Sequence, residues 1–293
     1  MAGLLVLVLL VLLPLPALAF GPITHVEMGL DVLARAADLG AMGALAAAHP
    51  RCFLQGTLGP DRELAKNLAS YERHSHNWSR FFDRFTEASQ DRHRAFFLGC
   101  LCHLAADVVA HHYFVPLKMV ESHRSRFAAH LYWEMRLDAR AGHRGRARAM
   151  RLLDVDGRDQ RRFLRTVVPG NLLGPRFNVR MTDLAMRVQR ASAFQEFSDY
   201  VDRESRLSLA ERDVAEVHDL AVEAQAQVLR RMERAPVATT DARGLGTLSM
   251  AAQIRRQLRE EVRRHGDPNP RAAALVKDSR TFFHDRVQGT VFR

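Results

Sequence analysis

"CHLAADVVAHHYF", residues 102–114, is mostly apolar and built from helix-forming residues, yet it carries His103, Asp107 and His111 at strict four-residue intervals. An α-helix turns about 100° per residue, so side chains four and eight positions apart drift by only about 40° and 80°. The spacing therefore predicts a helix that presents two imidazoles and a carboxylate along one stripe, as a ligand face does.

The same periodicity extends to either side. Residues 26–48 are rich in Ala and Leu, 77–88 and 92–114 are amphipathic, and 122–142 repeats apolar residues at helical spacing. Breaks are expected where Gly, Pro and Asp cluster, at 49–52, 56–61, 154–159, 168–175 and 265–270. Residues 177–200 and 205–235 read as two longer helices, 235–246 as a loop and 247–264 as another helix. No alternating run of useful length predicts a strand, so the fold class is all-α. We read one multi-helix domain, with residues 20–145 as a core that holds the chemistry and 146–293 as a C-terminal helical extension packed on it.

Composition supports a buried core, with 47% of the 293 residues hydrophobic. Residues 1–19, "MAGLLVLVLLVLLPLPALA", carry no charged side chain and end in Ala17-Leu18-Ala19. They read as a secretory signal peptide cut after Ala19, interrupted by Pro14 and Pro16 and short for a spanning helix. No later segment reads as long and apolar enough to cross a membrane. The mature chain is thus expected to be secreted or periplasmic. Three cysteines, Cys52, Cys100 and Cys102, are too few for a disulfide scaffold and read as small buried hydrophobes, with one bridge from Cys52 left open. The net charge of +10, mostly from Arg, suits phosphate-bearing partners, but much of it falls on ordinary solvated helix faces such as "QIRRQLREEVRRH".

Further groups of the same type lie nearby. In "HLYWEMRLDAR", His130 and Glu134 share a helix face at one-turn spacing, and His25, Asp61, His74 and His76 lie upstream in "FGPITH", "GTLGPDREL" and "HSHNW". Imidazole and carboxylate in this mixture are what Zn²⁺ accepts as nitrogen and oxygen ligands. His218, His265 and His284 stand isolated and read as surface or core residues.

The ordered set "ITH … GPD … HSHNW … HLAADVVAHH … HLYWE", over residues 20–138, resembles the zinc-dependent phospholipase C family, which is related in fold to single-strand-specific fungal nucleases. That resemblance implies a phospholipase C/nuclease-like helical domain with additional C-terminal helices, and a cluster of about three Zn²⁺ ions. Carried over position by position, it makes His103 and the bridging Asp107 ligands of a zinc pair. It assigns Asp61 to the same pair and to the role of general base, and His111, His130 and Glu134 to the remaining zinc. His76 is favoured from its motif with His74 as the alternative, and His111 is ranked before His112. His25 joins the amino group and carbonyl of the mature N-terminal residue, which would be Phe20 here where the family usually has Trp. The implied activity is phospholipid hydrolysis by a secreted zinc phosphodiesterase, with peripheral membrane contact and nucleic acid as the less favoured substrate. Cleavage of single-stranded nucleic acid or another phosphoester on the same fold is one alternative, and a non-catalytic, zinc-stabilised binding protein is the other. The aromatics near these motifs, Trp78, Phe81, Phe82, Phe85, Tyr113, Phe114 and Trp133, read mainly as core.

Overall fold

The computed structural model describes residues 21–62, 76–125, 130–153, 163, 192–266 and 268–292, and among these every regular element is helical. The chain is all-α. Its helices are α1 (Pro22–Ala34), α2 (Gly40–Ala48), α3 (Pro50–Gly56), α4 (Trp78–Glu87), α5 (Asp91–Val109), α6 (Val115–Glu121), α7 (His130–Arg140), α8 (His143–Leu153), α9 (Ser192–Glu204), α10 (Glu211–Arg231), α11 (Leu245–His265) and α12 (Pro270–Val291).

Helix α5 is the axis of the molecule. Every residue from Ala95 to Val109 is buried, because α3, α4 and α10 pack around it. It continues through a π-turn at Ala110–Phe114 directly into α6, so Asp91–Glu121 is one unbroken rod of 31 residues. That rod is, by length and composition, apolar enough to cross a membrane, which corrects the expectation that no segment beyond the leader is. Its apolar window lies wholly inside the protein, and a helix enclosed on all sides must be apolar all round.

Two glycines set how closely α3 approaches α5. A Cβ on Gly56 would lie 1.9 Å from the Phe96 carbonyl oxygen, and one on Gly99 would lie 2.0 Å from that of Phe53. The backbones therefore touch, and Thr57, one residue beyond α3, is carried against the middle of α5.

Several element boundaries differ from the sequence expectation. The single helix expected over 26–48 is split by a 3₁₀ turn at Ala36–Leu39, after which Gly40 takes φ +65°. The break expected at 49–52 shrinks to His49, because Pro50 opens α3 at N1, where its missing N–H costs nothing. Residues 122–124 form a turn rather than helix, with Ser122 Oγ bonded to the Lys118 carbonyl oxygen at 2.6 Å, and α7 begins at His130. The helix expected from 205 begins at Glu211. Of the helix expected over 177–200, residues 177–191 lie outside the described residues, as does the leader. At the end of the expected break 265–270, Asn269 caps α12, its side chain accepting from the Arg271 and Ala272 amides.

The later helices share the core with the earlier ones. Helix α10 packs along α5 and α1, while α11 and α12 pack on α6. Lys118 of α6 is buried and pairs with Asp213 at 2.5 Å and Glu121 at 2.8 Å, and Arg280 of α12 also reaches Glu121 at 2.6 Å. Such a network is costly to break from one side, because the remaining charge stays buried.

The contact between α3 and α5 yields a direct test. Gly99→Ala is expected to cost about 2–3 kcal/mol through overpacking against Phe53, lowering Tm by roughly 5 °C or more in a chain of this size. Gly246→Ala, on the open face of α11 with nothing within 4 Å, should leave Tm unchanged or slightly raised. Thermal unfolding followed by circular dichroism reads both, and equal Tm values for the two variants would contradict the account.

Candidate metal centre

The stripe on α5 is buried in full. His103 and Asp107 have no exposure to solvent, and His103 Nδ1 donates to the Thr57 carbonyl oxygen at 2.8 Å. With its proton held there, Nε2 turns toward Asp107 Oδ2 at 3.2 Å and Asp61 Oδ2 at 3.8 Å. Asp61 sits on the 3₁₀ turn Pro60–Arg62 that follows α3. His76, just before α4, brings Nε2 to 3.0 Å from Asp107 Oδ2 and 3.6 Å from Asp61 Oδ1. His25 of α1 stacks on His103 with ring centroids 3.9 Å apart and places Nε2 3.4 Å from Asp107 Oδ1. Three imidazoles and two carboxylates thus converge from four parts of the chain.

Electrostatics divides the charge among them. Burial alone would raise the Asp107 carboxyl, but the facing His103, supported by His25 and His76, holds it well below the usual carboxylate range. Burial opposes a charge on His103, yet Asp107 and Asp61 overcome it and raise this imidazole above its ordinary value. His25 is pushed down by burial and by the neighbouring His103.

A second group stands on the π-turn and α7. His111 Nε2 lies 3.1 Å from His130 Nε2, and His130 Nε2 lies 2.6 Å from Glu134 Oε1. Burial drives His111 down to about 3 and raises Glu134 to about 7. Because His111 Nδ1 donates to the Ala242 carbonyl oxygen at 2.6 Å, its Nε2 offers a lone pair toward the other two residues. The neighbouring His112 is turned away, bonded to the Asp241 carbonyl oxygen at 2.8 Å and to Thr247 Oγ1 at 2.9 Å.

The donor set fits metal ions. The ligand atoms of His25, Asp61 and His103, of His76, His103 and Asp107, and of His111, His130 and Glu134 each lie within 4.8 Å of one another. Moreover, the buried oxygens of Asp107 and Glu134 are met by imidazoles, at 3.0–3.4 Å and 2.6 Å, and no backbone amide or hydroxyl bonds them. Carboxylates taken out of water need cationic partners, so two of them enclosed among imidazoles, with ligand atoms aimed at common centres, mark a place for cations.

Of the residues singled out in the sequence, His25, Asp61, His76, His103, Asp107, His111, His130 and Glu134 are brought together, while Phe20 and His74 lie outside the described residues. Sequence reading passed over Asp138. It follows His130 and Glu134 at the same four-residue spacing, and that signal was available. Its carboxylate accepts from Thr24 N at 2.7 Å, Thr24 Oγ1 at 2.8 Å and Ile23 N at 3.4 Å, capping α1 from outside. A Cβ on Gly21 would lie 2.2 Å from Asp138 Cγ, so glycine there admits the carboxylate. This cap fixes the approach of the chain to His25.

The remaining expectations concern residues near the site. No disulfide joins Cys52, Cys100 and Cys102; burial pushes the Cys102 thiol up, which makes it a poor thiolate ligand. Trp78, Phe81, Phe82, Tyr113, Phe114 and Trp133 are buried and Phe85 is half-buried, as core residues. His218 pairs with Asp31, His265 with Glu261 and His284 with Glu216, and none joins a ligand group among the described residues.

The raised Glu134 carboxyl sets a pH dependence. Its pKa in the fold exceeds its unfolded value of 4.5, so its contribution is fully present below about pH 4.5 and is lost as pH rises through about 7. Metal-free protein should therefore lose stability between pH 5 and pH 8, relative to Glu134→Gln, by on the order of 3 kcal/mol. Denaturant unfolding at the two pH values measures the difference, and parallel pH profiles for the two proteins would contradict it.

Searches of curated proteins and of solved structures return no match to the chain. A model of the zinc-dependent phospholipase C family matches residues 23–177, a span that covers just over half of the sequence and includes every one of the converging ligands. On that match, carried by a helical fold whose buried imidazoles and carboxylates fit metal ions, the chain belongs to the zinc-dependent phospholipase C family.

Proposed function

We propose that the protein is a secreted or periplasmic zinc-dependent phosphodiesterase that hydrolyses phospholipids in the phospholipase C manner, with about three zinc ions. The observation that carries this reading is the burial of the Asp107 and Glu134 carboxylates among imidazoles, at the centre of two adjoining ligand groups. His25, Asp61, His76, His103 and Asp107 would hold one pair of ions, and His111, His130 and Glu134 the other ion. Phe20, freed by cleavage after Ala19, would add its amine and carbonyl next to His25, an approach shaped by the cap of Asp138 on α1. Zinc held there would supply positive charge for phosphate oxygens and acidify a water toward neutrality.

The chain's own groups then have defined tasks. Asp61, on a short turn and facing both His76 and His103, is placed to orient the attacking water and to take its proton on a carboxylate oxygen. The Thr57 and Ala242 carbonyl oxygens hold the protons of His103 and His111 on Nδ1, which leaves each Nε2 directed inward. The net charge of +10 favours approach to anionic phosphate surfaces.

The test compares two substrates. Mature protein beginning at Phe20 should release phosphorylated head group from phosphatidylcholine vesicles, lose that activity to a chelator and regain it with zinc. Release of nucleotides from single-stranded DNA should be slower by about 100-fold or more, since discrimination of that size between substrate classes needs only about 3 kcal/mol. Faster nucleotide release would replace the lipid reading with the nuclease one. Asp61→Asn is expected to reduce kcat by about 10²–10⁴-fold, and an unchanged rate would remove Asp61 from the chemistry.

A further inference from the structure

The segment preceding α11 lies directly on the π-turn. Gly244 takes φ +57°, and a Cβ there would lie 2.5 Å from His111 Cβ and 2.7 Å from the His111 carbonyl oxygen. Only a residue without a side chain can hold the left-handed conformation at this approach. Ala242, two residues earlier and fully buried, supplies the carbonyl oxygen bonded by His111 Nδ1.

What holds that segment in place is His112. A carbonyl oxygen can only accept, so His112 Nε2 carries the proton given to Asp241 O at 2.8 Å. Nδ1 of the same ring lies 2.9 Å from the Thr247 hydroxyl, which can donate to it. Thr247 is itself buried, in the first turn of α11. The other flank is tied to α4 by Trp78 Nε1, which donates to the Thr240 carbonyl oxygen at 2.8 Å. Residues 240–247 lie beyond residue 177, outside the span matched by the family.

We propose that Thr247 and His112 are positioning residues for His111, holding residues 241–244 so that the Ala242 carbonyl oxygen keeps the His111 proton on Nδ1 and leaves Nε2 for a metal shared with His130 and Glu134. The metal part of this proposal rests on the functional reading above; the tautomer part does not. A buried hydroxyl that donates to an imidazole and is replaced by a methyl leaves the acceptor unpaired, and the ring must seek another arrangement. The consequence passes from Thr247 to His112, then through the backbone at 241–242 to His111.

The experiment uses the full mature chain with ¹⁵N-labelled histidine. In wild type, the His111 nitrogen shifts should show one tautomer, protonated at Nδ1. In Thr247→Val they should shift toward a mixture, and the zinc that is absent from Glu134→Gln should be lost to a competing chelator about 10–100-fold more readily. The remaining zinc should be held as in wild type, and Thr247→Ser, which keeps the hydroxyl, should restore both readouts. If Thr247→Val does not fold, Thr247→Ala removes the hydroxyl without adding bulk and is read in the same way. A lowered Tm with an unchanged tautomer and unchanged zinc retention would overturn the proposal and leave Thr247 a packing residue. If wild type holds no zinc at His111, the functional reading fails there, and the tautomer alone decides the positioning role: a change in the variant upholds it and no change overturns it.

Discussion

A carboxylate with no exposure to solvent sits midway along the continuous rod of α5 and α6. Moving such a charge out of water is among the most costly events in folding unless cations answer it. Asp107 is answered by three imidazoles, from His25, His76 and His103, at 3.0–3.4 Å. Much of the architecture can be understood as the means of assembling them. Gly56 and Gly99 let α3 touch α5, which brings Thr57 to His103 and Asp61 to the cluster. Asp138 caps α1 and so fixes His25. The segment before α4 delivers His76. The same constraint explains why α5, apolar enough by composition to cross a bilayer, is instead enclosed by protein: its central carboxylate would find no partners among lipid chains.

The two ligand groups are supported differently. The group around Asp107 is set by close packing and the Thr57 carbonyl oxygen within residues 21–107, and by the cap that Asp138 of α7 places on α1. The group of His111, His130 and Glu134 draws its orientation from the later part of the chain, through the Ala242 carbonyl oxygen and the struts around His112. The π-turn marks the junction. Such turns widen a helix locally, and here the widening accompanies the divergence of adjacent histidines, one toward the ligand group and the other into the hydrogen-bond network.

The fold class and the ligand stripe were legible in the sequence because both depend on helical periodicity, which residue spacing records. His103, Asp107 and His111, and likewise His130 and Glu134, declare themselves by four-residue intervals. Boundaries were less legible: Pro50 could signal a break or a helix start, and only packing decides between them. The π-turn left no mark, since the same residues would suit an α-helix. The role of residues 240–247 could not be seen, because it is performed mostly by backbone carbonyl oxygens, which every residue has. Asp138 is the instructive case. Its spacing carried the signal, but its partners are the amides of a distant helix start, which no local pattern shows.

The central claim is that the buried imidazoles and carboxylates exist to hold metal. The most direct measurement is metal content by inductively coupled plasma mass spectrometry, on exported protein whose N-terminus is confirmed as Phe20. The account predicts about three zinc ions per chain. A fully folded protein that contains none, and takes up none from zinc-supplemented buffer, would contradict it.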